Sequence, residues 1–150
     1  MKFEESVFIK SPIKQVWKFL SNYRSHKQFN GIYKETKHVS EGKMAVGSEL
    51  FTKIFFLGRK IETSSEVIEF EPEKTIRFQS KSGPVPSDTK YEFQPEGEGT
   101  VVKLEFDIEP GSYFRLGETF LKPRLSKEVE DSMQSLKKIL EAKALKAAAK

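Results

Sequence analysis

The chain has 150 residues, 26 basic and 22 acidic side chains and no cysteine, which excludes disulfides, thiolate metal sites and a cysteine nucleophile. That length suffices for one domain that buries about two thirds of its unfolded surface, and 37% hydrophobic with 32% charged residues is a soluble composition, neither disordered nor membrane-embedded. The net charge of +4 is uneven, with 12 basic and 5 acidic groups in residues 1–60 against 5 and 12 in residues 61–111, but no carboxylate-free basic stripe with an aromatic platform marks a nucleic-acid surface.

The start MKFEESVF is too polar for a signal peptide, and the longest apolar run, Ile54 to Leu57, cannot span a bilayer. A cytoplasmic protein without stable membrane insertion is expected. Phe3, Val7 and Ile9 share one parity against Lys2, Glu4, Ser6 and Lys10, predicting an outer strand whose polar side is broken by Phe8. Ser11 reads as a helix cap with Pro12 at the first helical position, where a missing N–H costs nothing. Val16, Phe19, Leu20 and Tyr23 then form the buried stripe, widened by Trp17. A second helical turn, His26 to Phe29, stops at Asn30-Gly31.

From Ile32 the period changes to two. Strands are predicted over 33–39, 48–57, 60–70, 74–80, 89–94 and 100–108, separated by Gly42, Gly58, Pro72-Glu73, Gly83-Pro84 and Gly97-Glu98-Gly99. With the first strand this makes seven in an antiparallel sheet, with a tight hairpin at residues 57–60. Ile61, Thr63, Ser65 and Val67 share one phase and Ile68 and Phe70 the other, so a bulge is expected near Val67-Ile68. Such a bulge would help the sheet curl. The last strand turns Val102, Leu104, Phe106 and Ile108 inward.

After Pro110-Gly111 a helical segment is expected to run to near the end, interrupted at Gly117 and bent at Pro123. Its stripe is Leu121, Leu125, Val129, Met133, Leu136 and Leu140, opposite Lys127, Asp131, Lys137 and Lys138. Residues 142–150 have high helix propensity but little to bury, so they should fray or project. Residues 1–150 read as a single domain without repeats or linkers.

A strand, two short helices, six strands and one long helix make an α+β pattern that resembles the helix-grip fold of the START and SRPBCC superfamily, which includes the birch pollen allergen and polyketide cyclase or dehydratase-like proteins. The resemblance covers nearly the whole chain. It is carried by Ser11-Pro12-Ile13-Lys14-Gln15-Val16-Trp17 opening the first helix, Glu66 to Pro72 ending a strand, Gly97 to Thr100 at the last hairpin and Met133 to Leu140 in the last helix. Many relatives have Trp where this chain has Phe29, a departure that bears on the pocket mouth. The resemblance implies a curved seven-stranded sheet around the last helix and a hydrophobic cavity between them, used for lipids, polyketides or similar molecules. It does not fix the function.

Catalytic signatures are missing. His26 and His38 have no partner at metal-ligand spacing and read as surface residues, so no metal or other cofactor is implied. Gly97-Glu98-Gly99 opens a strand, not the helix that a phosphate loop needs. Glu66 and Asp107 are the one candidate acid and base pair, should the sheet bring them together. Tyr23, Tyr91 and Tyr113 combine a large ring with one donor suited to a ligand oxygen. Arg77 has outward parity, and could clamp a ligand carboxylate if the inner phase of its strand were reversed.

The expected function is therefore binding of a small hydrophobic molecule. Its expected lining is Phe78, Tyr91, Phe93, Leu104 and Phe106 from the sheet with Phe120, Leu125, Val129 and Met133 from the helix, and Tyr23 and Phe29 near the mouth. No catalytic residue is assigned. The rivals are a cyclase or dehydratase-type enzyme, which requires a titratable pair inside the cavity, and a protein-interaction module whose cavity is filled by its own side chains.

Overall fold

The computed structural model of the protein describes residues 1–149. Seven strands, β1 (Lys2–Ile9), β2 (Tyr33–His38), β3 (Glu49–Phe56), β4 (Arg59–Glu71), β5 (Thr75–Ser82), β6 (Ser87–Glu96) and β7 (Gly99–Ile108), form one antiparallel sheet in the order β1-β7-β6-β5-β4-β3-β2. Between β1 and β2 lie α1 (Ile13–Leu20), a 3-10 turn (Tyr23–Ser25) and α2 (His26–Phe29), and α3 (Glu118–Ala148) follows the sheet. This is the helix-grip fold: a curled sheet gripping the long helix. No described helix is long and apolar enough to cross a membrane.

β1 is an edge strand, and among the described residues it pairs with β7 alone, from Lys2 opposite Asp107 to Ile9 opposite Thr100. The two strands approach so closely at Gly99 that a Cβ there would fall 2.7 Å from the Ile9 carbonyl oxygen. In β4 the register shifts between Val67 and Glu69, the bulge that the two apolar phases require, and again between Ser64 and Ser65.

Local expectations are corrected in three places. Pro12, extended at φ −60° and ψ 145°, is the N-cap of α1, and Ser11 is buried one residue earlier, where its carbonyl accepts from Thr100 Oγ at 2.8 Å. Residues 111–117 are turns rather than helix, because Gly111 and Arg115 adopt φ of 53° and 57°, in the left-handed region that ends α-helical propagation. The helix continues through Pro123, whose missing N–H removes one bond near the helix start. Residues 142–148 stay helical and project, most of them exposed, and Lys150 lies outside the described residues.

The core runs the length of the sheet-helix interface. Leu121, Leu125, Val129, Met133, Leu136 and Leu140 of α3 are buried, as are Ile76, Phe78, Tyr91, Phe93, Val102 and Leu104 facing them from the sheet.

Candidate functional site

Inward-facing side chains make the two ends of this interface different. At one end α1, the 3-10 turn and α2 fill the space. Trp17 meets Phe70 and Phe93 edge-on at 5.2 and 5.1 Å, and Tyr23, His26, Phe29 and Phe78 form a second aromatic cluster with ring spacings of 4.7 to 6.2 Å. At the other end the inward positions carry Thr63, Val85, Ser87 and Thr89, and a cavity of about 80 Å3 remains. One water occupies roughly 10–15 Å3 of such a space.

The cavity wall is mostly apolar: Ile32, Ile54, Phe56 and Ile61 on one side, Leu104, Phe106, Ile108 and Phe114 on the other, and Leu125 and Val129 of α3 as the roof. Its polar groups are Asn30, Tyr33, Thr63, Ser87, Thr89, Tyr91, Glu128 and Ser132, of which Glu128 is the one charged side chain. Tyr33 and Tyr91 differ from Tyr23, whose hydroxyl is hydrogen-bonded to Thr52. Burial pushes the Tyr33 hydroxyl up to about 12 and the Tyr91 hydroxyl higher still, and neither has a compensating hydrogen bond. No sealed side-chain nitrogen or oxygen among the described residues lacks a partner, so these two hydroxyls are accessible, and both residues line the cavity.

Of the residues expected to line a pocket, Tyr91, Leu104, Phe106, Leu125 and Val129 surround the cavity. The others lie elsewhere. Tyr23, Phe29 and Phe78 are buried in the aromatic cluster, and Phe93 packs on Trp17. Met133 is fully buried toward the filled end, and Phe120 is exposed beneath Arg124. Tyr113 is half-buried outside the cavity, with Arg59 over its ring at 5.0 Å.

His26 is also corrected from surface to core. Its Nε2–H donates to the Leu20 carbonyl at 2.8 Å, and burial holds the imidazole down at about 4, outweighing that hydrogen bond. His38 is half-buried at the sheet edge, 3.1 Å from Ser40 Oγ. Glu66 stands opposite Glu49 and Gln79, whereas Asp107 stands opposite Lys2 and Asp88, so the two carboxylates form no pair. Arg77 faces outward and donates to both Asp88 oxygens at 3.0 and 2.7 Å and to Glu69 at 3.3 Å.

Tyr33 was hidden by a bulge. It shares sequence parity with Glu35 and Lys37, but the register shifts between Tyr33 and Glu35, and Tyr33 pairs with the cavity residue Ile54. Ser132 was legible in principle, as a hydroxyl inside the apolar stripe between Val129 and Met133.

Residues 1–141 match the family model described as polyketide cyclase / dehydrase and lipid transport. The chain belongs to that family. No curated protein matches it in sequence. Among solved structures it is similar to TTHA0849 from Thermus thermophilus, with 20% identity, a TM-score of 0.80 and coverage of 96% of this chain and 99% of that one. A START superfamily protein from Mycobacterium smegmatis is 15% identical with a TM-score of 0.71, covering 97% and 98%. An aromatase/cyclase from Streptomyces sp. R1128 is 13% identical with a TM-score of 0.73, covering 94% and 93%. At these identities the likeness establishes the helix-grip fold of this family member and leaves its ligand to the cavity chemistry.

Proposed function

We propose that this family member binds a small, mostly apolar, uncharged molecule and holds one of its oxygens with the hydroxyls of Tyr33 and Tyr91. The observation that carries this reading is an apolar cavity onto which two tyrosine hydroxyls open without a protein partner. Water in a narrow apolar space satisfies such hydroxyls poorly, so a ligand acceptor there recovers hydrogen-bond free energy. Both hydroxyls stay protonated at neutral pH and can donate. A ligand carboxylate would meet no cation in the lining and one carboxylate, Glu128.

Proton-transfer chemistry has less support. The cavity offers Glu128, but its tyrosines are shifted away from neutrality, and His26 is neutral with one nitrogen committed to Leu20. A filled-cavity interaction module is disfavoured by the open space itself.

Two-ring probes of matched size test the reading. 2-Acetylnaphthalene should bind, and 2-naphthoate should bind at least about tenfold more weakly, since burying an unpaired carboxylate is far costlier than burying a ketone. Native mass spectrometry of protein purified from its own host would weigh any retained ligand. A preference for the carboxylate would refute the uncharged-ligand reading.

A further inference from the structure

The β3–β4 hairpin turns through two residues, Leu57 and Gly58, closed by the Phe56–Arg59 pair. Both have positive φ, 50° and 77°, the geometry that favours Asn-Gly. Leucine in this region is sterically disfavoured, and Leu57 is 39% exposed, so burial returns little. Neither the turn nor the core accounts for a leucine here.

The hairpin is joined to the segment that leads into α3. Phe56 packs edge-on against Phe114 at 5.7 Å, and the Arg59 guanidinium lies over Tyr113. These two segments, residues 55–60 and 111–124, hold four of the eight large exposed apolar side chains among the described residues: Phe55, Leu57, Leu116 and Phe120. They also hold Arg59, Lys60, Arg115, Lys122 and Arg124 against a single acid, Glu118. None of those five cations forms an ion pair among the described residues, whereas Lys37, Lys53, Lys81, Lys90 and Lys103 on the sheet each stand within 4.0 Å of a carboxylate.

We propose that this surface docks peripherally on an anionic phospholipid bilayer, with Leu57, Leu116 and Phe120 entering the interface and Arg59, Arg115, Lys122 and Arg124 facing lipid phosphates. Charge complementarity selects the occupant: unpaired cations surrounding apolar tips match anionic headgroups over acyl chains. A bilayer accepts such side chains without the matched relief that a protein partner would need. The proposal goes beyond ligand binding and does not depend on what the cavity holds, although Phe56 and Phe114 bring the docked surface to one wall of that cavity.

Vesicle co-sedimentation of the full chain tests it. The protein should partition onto phosphatidylcholine vesicles containing a quarter phosphatidylglycerol about tenfold or more better than onto phosphatidylcholine alone, and raised salt should erode the difference. Leu57→Asn suits the turn better, so it should keep or raise Tm while weakening partitioning several-fold, a combination that a purely structural leucine would not give. Arg115→Glu with Arg124→Glu should abolish partitioning. Lys14→Glu with Lys18→Glu, on exposed positions of α1, should leave it at no less than about half, since only the local field within a Debye length counts. Unchanged partitioning of Leu57→Asn, equal loss in the α1 variant, or binding indifferent to phosphatidylglycerol would overturn the proposal. So would concentration-dependent self-association that Leu57→Asn abolishes without any vesicle binding, which would make the surface an interface between copies.

Discussion

The two ends of the sheet-helix interface share strands and one helix but differ in what their inward positions carry. At the filled end Trp17, Phe78, Phe93 and the aromatics of the 3-10 turn and α2 pack ring against ring. At the open end β4 and β6 turn Thr63, Ser87 and Thr89 inward, and the short side chains leave space lined by hydroxyls. The same backbone can thus be a core or a receptor according to side-chain volume at a few strand positions. The filled end holds the grip closed, which lets the open end remain unfilled.

Truncation should separate the ends first. Leu136, fully buried beyond the cavity, should cost about 2–5 kcal/mol as Leu136→Ala. Val129→Ala, beside existing space, should cost about 1 kcal/mol, because its neighbours already border a void. Denaturant titration reads both, and equal costs would mean that the two ends are packed alike.

His26 gives the filled end a pH signature. Its imidazole is depressed from 6.5 to about 4 in the folded protein, so below pH 6.5 the unfolded chain takes up a proton that the folded one refuses. Stability should fall as pH drops from about 6.5 toward 4, by up to about 3 kcal/mol, and be pH-independent from this source above 6.5. His26→Gln, which keeps a donor for Leu20, should flatten that slope. A slope that survives in the variant would assign the acid sensitivity to carboxylates.

At the open end the expected changes are in binding. Tyr91→Phe removes a donor and little volume, so ketone-probe affinity should fall about 2- to 10-fold with stability nearly unchanged. Lost stability with intact affinity would place Tyr91 in the core. Amides of residues 111–124 should exchange hydrogen faster than those of 125–141 and slow when probe is added, since residues 111–117 hold only local turn bonds such as Tyr113 N–H to Pro110 O. The smallest effect is expected at exposed Lys138, where alanine should stay within about 0.5 kcal/mol. Lys137 should exceed it, because its ammonium donates to the Phe8 carbonyl at 2.7 Å and lies 3.6 Å from Glu141.

Strand parity and the stripe of α3 made the architecture legible, because both periodicities are written in side chains that one core must bury. The β4 bulge was legible too, since Val67 and Ile68 cannot both face inward on a regular strand. What parity could not reveal was where the core stops being full. Phe78 and Leu104 face the same interior, yet only Leu104 borders the cavity, and the difference lies in how α2 sits against the sheet. His26 shows the same limit: a polar residue on a short helix reads as exposed until the helix is seen to rotate it between Tyr23 and Phe78.

The pairing of β1 with β7 also bears on how the chain comes off a ribosome. Strands β2 to β7 can zip in sequence, each onto the one just made, but β1 must wait for a partner roughly a hundred residues downstream. At about 5–20 residues per second that delay lasts about 5–20 s, during which Phe3, Val7 and Ile9 have no sheet to cover them. Such distant pairing raises the contact order and slows the final step. Until the sheet edge closes, the apolar face of β1 is therefore open to aggregation.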